Sequence, residues 1–404
     1  MSAAAPIPSH VPPARVFDFD IYEDPQLKTD LHAAYSRLHA QAPPLFYTPR
    51  NGGHWMVLSS DIMSEIVKDP EHFSARESQI PRVDNAPLLI PLNLDPPEHT
   101  QYRMILAPFF APKSIAALEG ELKTFATEVV AGVRRRGACD FVRDVAAPYP
   151  VTVFMRMMGL PLARFDEFRH LADEFFKAVG PEAVGAISQQ IIGVLAGLLQ
   201  ERLQNPHPEK TDIIDHLVDA KINGEPVAFD KMISTCFLLF LGGLDTVTNA
   251  LSFGCRYLAT RPDLQKRMRE NIDLVTPFVE ESLRLYGVVN TPRIVIKDLE
   301  KFGVRFRTGD MLLNCLPMAG WDPTKNAEAG TFDIDRQNRS LLTFSTGPHL
   351  CIGHFLARAE MRAMYVEWMK QIPEFHLGDG YRPAYRAGMV MGLDALPLRW
   401  TAPA

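Results

Sequence analysis

The run from Lys231 to Thr260 most constrains what this chain can become. Its periodicity predicts one helix, about 45 Å long at about 1.5 Å per residue. Cys236 to Leu241 is apolar all round, the pattern of a helix buried through a protein's centre. The middle of the run reads Gly242-Gly243-Leu244-Asp245-Thr246, an interruption that argues against a membrane span. Each glycine weakens a helix by about 1 kcal/mol relative to alanine. An acid inside an apolar helix is a further cost. The glycines remove side chains where something must approach the backbone. Thr246 is expected to bond back to the Gly242 carbonyl and loosen the ladder there.

The rest of the chain also reads as mainly helical. Helices are predicted over Leu27–Gln41, Asp61–Lys68 (capped by Ser60 or Asp61), Gly120–Arg136 and Leu162–Arg202, and another opens at Thr276-Pro277. Strands are few. Phe46-Tyr47 and Trp55 to Leu58 flank Asn51-Gly52-Gly53 as a hairpin, and short runs follow at Ile294–Ile296 and Met311–Leu313. The expected fold class is therefore mainly α with a small β-rich part. No linker or repeat divides the 404 residues, so residues 16–404 are expected to form a single domain. Met1 to Arg15, rich in Ala and Pro, reads as a flexible arm without a signal peptide or membrane anchor. The net charge of -6 argues against nucleic-acid binding. Five cysteines without disulfide-framework spacing fit a reducing cytoplasm.

The second informative stretch is Phe344-Ser-Thr-Gly347-Pro-His349-Leu-Cys351-Ile-Gly353-His-Phe-Leu-Ala-Arg358. Gly347 and Gly353 permit a tight loop passing close to a flat ligand. Phe355, Leu356 and Ala359 then recur at helical spacing, which sets Cys351 near a helix N-terminus. That position favours thiolate over thiol. Such a cysteine is a buried apolar residue, a nucleophile or a soft metal ligand. Elsewhere, Asp95-Pro-Pro-Glu-His99 marks a helix start, and His99 and Arg103 share one face. Glu281 and Arg284 are three apart on another helix.

The Phe344–Gly353 pattern resembles the haem-binding loop of the cytochrome P450 monooxygenases. The likeness covers the chain from about Pro12 and is closest to the bacterial camphor-hydroxylating branch. Gly-Gly-Leu-Asp-Thr-Val at 242–247 and Ala395-Leu-Pro-Leu carry that last point. The resemblance implies a helical prism with a small β-rich lobe. Cys351 would be the axial thiolate ligand of haem b iron. His99, Arg103, Arg293 and His349 would hold the haem propionates. Gly242, Phe344 and Gly353 would line the cofactor. Asp245 and Thr246 would form the acid–alcohol pair that handles protons. Glu281, Arg284 and Arg336 would form a structural charge network.

The same resemblance implies a monomeric enzyme that activates O2 and inserts one oxygen into a C–H bond. Electrons would come from NAD(P)H through a reductase and a [2Fe–2S] ferredoxin, with Arg103 and Arg358 flanking the docking face. The camphor branch has an arginine where this chain has Thr100, and a substrate-holding tyrosine where it has Pro87. The implied pocket is Pro87, Leu88, Leu238, Leu241, Val289, Asn290, Met389 and Val390. All but Asn290 are apolar, and Asn290 could replace the lost hydrogen bond. A terpenoid or norisoprenoid, such as an ionone-like ketone, is the expected substrate, with fatty-acid or aromatic hydroxylation as alternatives. A peroxygenase and a haem sensor have little use for the Asp–Thr pair. A haem-free cysteine enzyme would leave the propionate set as coincidence.

Overall fold

A computed structural model describes residues 1–83, 86–177 and 181–402. The helices, in chain order, are α1 (Leu31–Gln41), α2 (Ser60–Val67), α3 (Glu98–Phe110), α4 (Pro112–Arg134), α5 (Pro148–Met158) and α6 (Phe165–Lys177). They continue with α7 (Pro181–Gln204), α8 (Ile213–Asp219), α9 (Phe229–Leu258), α10 (Pro262–Glu270), α11 (Val275–Leu285) and α12 (His354–Gln371). The expected helix over Leu162–Arg202 is thus α6 and α7, and its course across 178–180 lies outside the described residues. The first turn of α2 is held by Ser59, whose Oγ accepts the Ile62 N–H at 3.5 Å, rather than by Ser60 or Asp61. Ser59 is the last extended residue before the helix, which is where a cap acts.

The central helix α9 organises the packing because it belongs to every apolar cluster. Its first half gives Met232, Cys236, Phe237, Phe240 and Leu244 to one core, with α5, α6 and α7. Its second half gives Val247, Leu251, Cys255 and Leu258 to another, with α4, α11 and α12. Phe253, on a third side, enters the β-rich lobe. By length and composition, both α9 and the α7 segment Glu182–Gln204 could cross a membrane, so the expectation that α9 is too interrupted for this is corrected. The apolar stretches on either side of Asp245 are long enough to outweigh it. What marks α9 as a core helix is its burial, 67% across its most apolar window.

The lobe is a five-stranded sheet in the order Leu45–Thr48, His54–Val57, Met311–Asn314, Thr291–Val295, Phe73–Ser74. Its first two strands form the expected hairpin, with Asn51, Gly52 and Gly53 all at positive φ. A second small hairpin, Tyr385–Arg386 with Gly392–Leu393, lies against α9. The N-terminal segment is not a loose arm. Ser2 N–H donates to Asp20 at 2.6 Å, Ala5 N–H to the Pro49 carbonyl at 2.8 Å, and Val11 is buried in the lobe. His10 meets Asp310 at 2.9 Å, 300 residues away. Partners that remote leave no trace in local composition.

Candidate active site

The middle of α9 is open on one side, at Gly242. Gly242 is exposed although the helix around it is largely buried, and a Cβ built there would meet nothing within 4 Å. One turn on, Thr246 Oγ1 donates to the Gly242 carbonyl at 2.8 Å, as the sequence predicts. Asp245 is buried on the neighbouring face, where Arg386 Nη2 donates to its two oxygens at 2.9 and 3.2 Å. Burial pushes the Asp245 carboxyl up, against the opposing pull of Arg386 and Asn249. An acid held between such influences can both keep and release a proton.

Cys351 is the one exposed cysteine of the five. Its backbone N–H donates to the Phe344 carbonyl at 2.8 Å, which closes the loop before α12. Gly347, at φ +68°, is needed here: a Cβ would stand 2.9 Å from Lys68 Cγ and 3.3 Å from the Val67 carbonyl. Gly353 has an ordinary φ of -84°, so no left-handed turn requires it. The left-handed residues in this loop are Gly347 and Ser345, the latter at φ +60°. The expected preference for thiolate is also corrected. Burial pushes the thiol up and outweighs the Gly353 N–H and the charges of Arg103 and Arg358. The residue is thus exposed while much of the protein surrounds its sulfur. A metal bound there would ionise it outright.

Four basic side chains gather beside this loop. The His99 and His349 rings are 4.2 Å apart. Arg103 reaches the Leu350 carbonyl, next to Cys351. Arg293, 4% exposed, donates to the Pro292 carbonyl at 2.7 Å. Burial brings Arg293 down to about 10 and His99 to about 4. His349 falls to about 2, through burial first and then Arg293, His99 and Arg103. Buried His99 Nδ1 and His349 Nε2 have no hydrogen-bond partner, and no carboxylate forms an ion pair with Arg103 or Arg293 among the described residues. Two guanidinium charges beside neutral imidazoles with orphaned nitrogens are costly unless an anion joins them. The set therefore fits the carboxylates of haem, whose flat ring would need the space left at Gly242.

Of the implied pocket, Leu238, Leu241, Val289, Met389 and Val390 are all half-buried, whereas Pro87 and Leu88 are exposed. Asn290 is corrected as a substrate donor. It is 2% exposed, and its Nδ2 donates to the Gly388 carbonyl at 2.8 Å, so its amide ties down the hairpin tip. Arg103 is corrected as a docking charge, because its guanidinium turns inward to Leu350. Arg358 stays at the surface side but is engaged, paired with Glu280 at 2.8 Å and lying 4.6 Å over the Phe344 ring.

Glu281 and Arg284 pair at 2.6 and 3.0 Å with both side chains fully buried, and Arg336 joins at 3.3 Å. Arg339, which sequence reasoning missed, adds a contact at 3.2 Å. Its signal was a second arginine three residues after Arg336. Arg386 was also missed; it lies 141 residues from Asp245, and no local pattern marks it.

Comparison with known proteins agrees with this geometry. The sequence model of the family described as "Cytochrome P450" matches residues 151–371. The chain is 31% identical to a "Probable cytochrome P450 127A1" of Sinorhizobium fredii, over 98% of this chain and 97% of that one. The crystal structure of CYP101J2 superposes with a TM-score of 0.90 at 32% identity, covering 98% of this chain and all of that one. That of CYP101C1 gives 0.91 at 30% identity with the same coverage.

Proposed function

The chain belongs to the cytochrome P450 family, and from that premise we propose that it is a haem-thiolate monooxygenase acting on a small apolar substrate. The observation that carries this is the meeting of Cys351 with a buried basic set that has no ion-paired carboxylate among the described residues. Haem, when bound through Cys351, supplies the activation of O2. The chain supplies the rest. His99, Arg103, Arg293 and His349 would hold the propionates. Gly242 leaves room above the ring. The Thr246 hydroxyl, anchored on the Gly242 carbonyl, would pass a proton, and the Asp245 carboxyl would replenish it. Phe344 and Gly353 would shape the cysteine side.

The similarity to the CYP101 structures, at about a third identity, supports placement near the camphor-hydroxylating branch. The apolar lining at Leu238, Leu241, Val289, Met389 and Val390 supports a substrate gripped by shape. With Pro87 offering no hydroxyl and the Asn290 amide spent on Gly388, orientation would rest on the hydrocarbon frame. We therefore favour a terpenoid or norisoprenoid, with fatty acids as the alternative. Electrons would come from NAD(P)H through a reductase and a [2Fe–2S] ferredoxin, in the cytoplasm, to a monomer.

The reduced, CO-bound protein is expected to show the red-shifted Soret band of haem-thiolate ligation. Ionones are expected to shift the haem spin state more tightly than camphor or long-chain fatty acids. A normal haem–CO spectrum would defeat the thiolate reading, and a shift with camphor alone would defeat the substrate reading. For the proton path, Thr246→Ala is expected to keep consuming NADH while product falls about tenfold or more and hydrogen peroxide rises in its place. Full coupling in that variant would remove Thr246 from the path.

A further inference from the structure

The Arg386–Asp245 pair joins two elements that otherwise share little polar contact. Asp245 is held in the central helix, with its side chain 8% exposed. Arg386 comes from the small C-terminal hairpin, with its side chain about a third exposed at 32%. Its guanidinium reaches inward past Gly392 on the facing strand. A Cβ at Gly392 would crowd Asn249 Oδ1 and stand 2.7 Å from Arg386 Nη2. Gly392 has no positive φ, so the reason for glycine here is space. The hairpin tip is fixed separately, by Asn290 Nδ2 on the Gly388 carbonyl and Asn290 N–H on the Met389 carbonyl, at 2.8 and 2.9 Å. A rigid hairpin with a cleared path delivers one cation onto the acid.

We propose that Arg386 is a positioning residue for Asp245: the hairpin fixes the orientation of that carboxylate and sets a guanidinium charge against both its oxygens. This rests on the reading of Asp245 as the proton source for Thr246. Among the described residues Arg386 is the charged group acting on Asp245, and Asn249 is its polar neighbour on α9, its own Nδ2 on the Asp245 carbonyl at 2.8 Å. From the other side, α5 brings Phe154 to 3.7 Å from a Cβ at Gly243, and the Ala146 carbonyl accepts from Thr248. Burial and the guanidinium therefore pull the acid in opposite directions, with burial the stronger, and losing the guanidinium moves the group further toward its protonated form.

The test uses the haem-loaded resting protein and infrared difference spectroscopy. Arg386→Gln is expected to gain a protonated-carboxyl band at neutral pH that disappears when Asp245→Asn is added. Gly392→Ala should gain the same band by displacing the guanidinium while keeping it in the chain. Arg386→Lys should lose most of it. In turnover, the acid limb of the pH profile of Arg386→Gln should move up by about one unit, a loss of about tenfold in the ionised acid below that limb. An unchanged carboxyl region together with an unchanged pH profile in Arg386→Gln would overturn the proposal. The infrared result needs no turnover, so it stands apart from failure of the monooxygenase reading, which the CO spectrum of the unmutated protein decides.

Discussion

Cys351→Ser is expected to abolish the red-shifted Soret band of the CO complex and to lower product formation more than about a hundredfold. Groups that merely orient a metal ligand cost about 10–100-fold when removed, so the ligand itself should cost more. Serine is close to isosteric, and the contact that closes this loop is made by the backbone, the residue's N–H on the Phe344 carbonyl. Gly347 against Lys68 and the start of α12 are likewise indifferent to the side-chain atom at 351. The fold should therefore survive, with a thermal midpoint within a few degrees of the parent. What changes is chemistry. A hydroxyl gives up its proton far less readily than a thiol, and its oxygen is a hard donor. The sulfur of Cys351 is already pushed toward the thiol by burial, and an alcohol in the same place would stay neutral. A variant that kept both the band and the activity would end the assignment. A variant that unfolded would be recognised by its far-ultraviolet circular dichroism, and Cys351→His would then keep the question open to measurement through its altered CO band.

The features that sequence could carry are those written in adjacent residues. The buried central helix follows from apolar periodicity, and the Thr246 bond to Gly242 follows from a four-residue spacing. The sheet hairpin follows from Asn-Gly-Gly between apolar runs. The Glu281–Arg284 pair follows from one helical turn. Local chemistry misleads where tertiary contacts decide. A position before a helix predicts a thiolate at Cys351, but enclosure by the protein outweighs the few donors there. An Ala/Pro-rich terminus predicts looseness, but Ser2 and His10 find acids at Asp20 and Asp310. Asn290 offers a donor on paper, and the hairpin tip takes it. Arg386 illustrates the deeper limit. An arginine in an unremarkable strand gains meaning only when the fold carries it onto an acid 141 residues earlier, and the glycine that clears its path is equally silent in one dimension.

Arg284→Ala is expected to cost about 3–5 kcal/mol of stability, the range for breaking a buried ion pair by removing one partner. The guanidinium is fully buried and satisfies five acceptor atoms. It donates to both Glu281 oxygens, to the Gly320 and Ala329 carbonyls at 2.5 and 2.7 Å, and to the Thr331 carbonyl at 2.9 Å. Alanine leaves the Ala329 carbonyl without its side-chain donor, at about 1–3 kcal/mol where no water can reach, whereas Gly320 keeps Asn326 and Thr331 keeps Arg336. Glu281 would keep Arg336, Arg339 and the Asp333 N–H, so its charge would not be orphaned. That remaining company is why the cost should stay within the range rather than exceed it. Against a total stability of about 5–15 kcal/mol, the loss should lower the thermal midpoint by about 4–6 °C for a chain of this length. The carboxylate adds a pH signature. Burial pushes the Glu281 carboxyl up, but Arg284, the Asp333 N–H and Arg336 outweigh it and hold it below the ordinary 4.5. A depressed carboxyl contributes stability that is fully present above the unfolded value and is lost as pH falls through the folded one. Glu281→Gln should accordingly be less stable than the parent near pH 7, and the gap should narrow as pH drops below about 4.5. Thermal unfolding of both proteins across pH 7 to 3 measures this directly. A gap that widened on acidification would mean that Glu281 is not held as a carboxylate, and the charge network would lose its role in shaping the wall behind the cysteine loop.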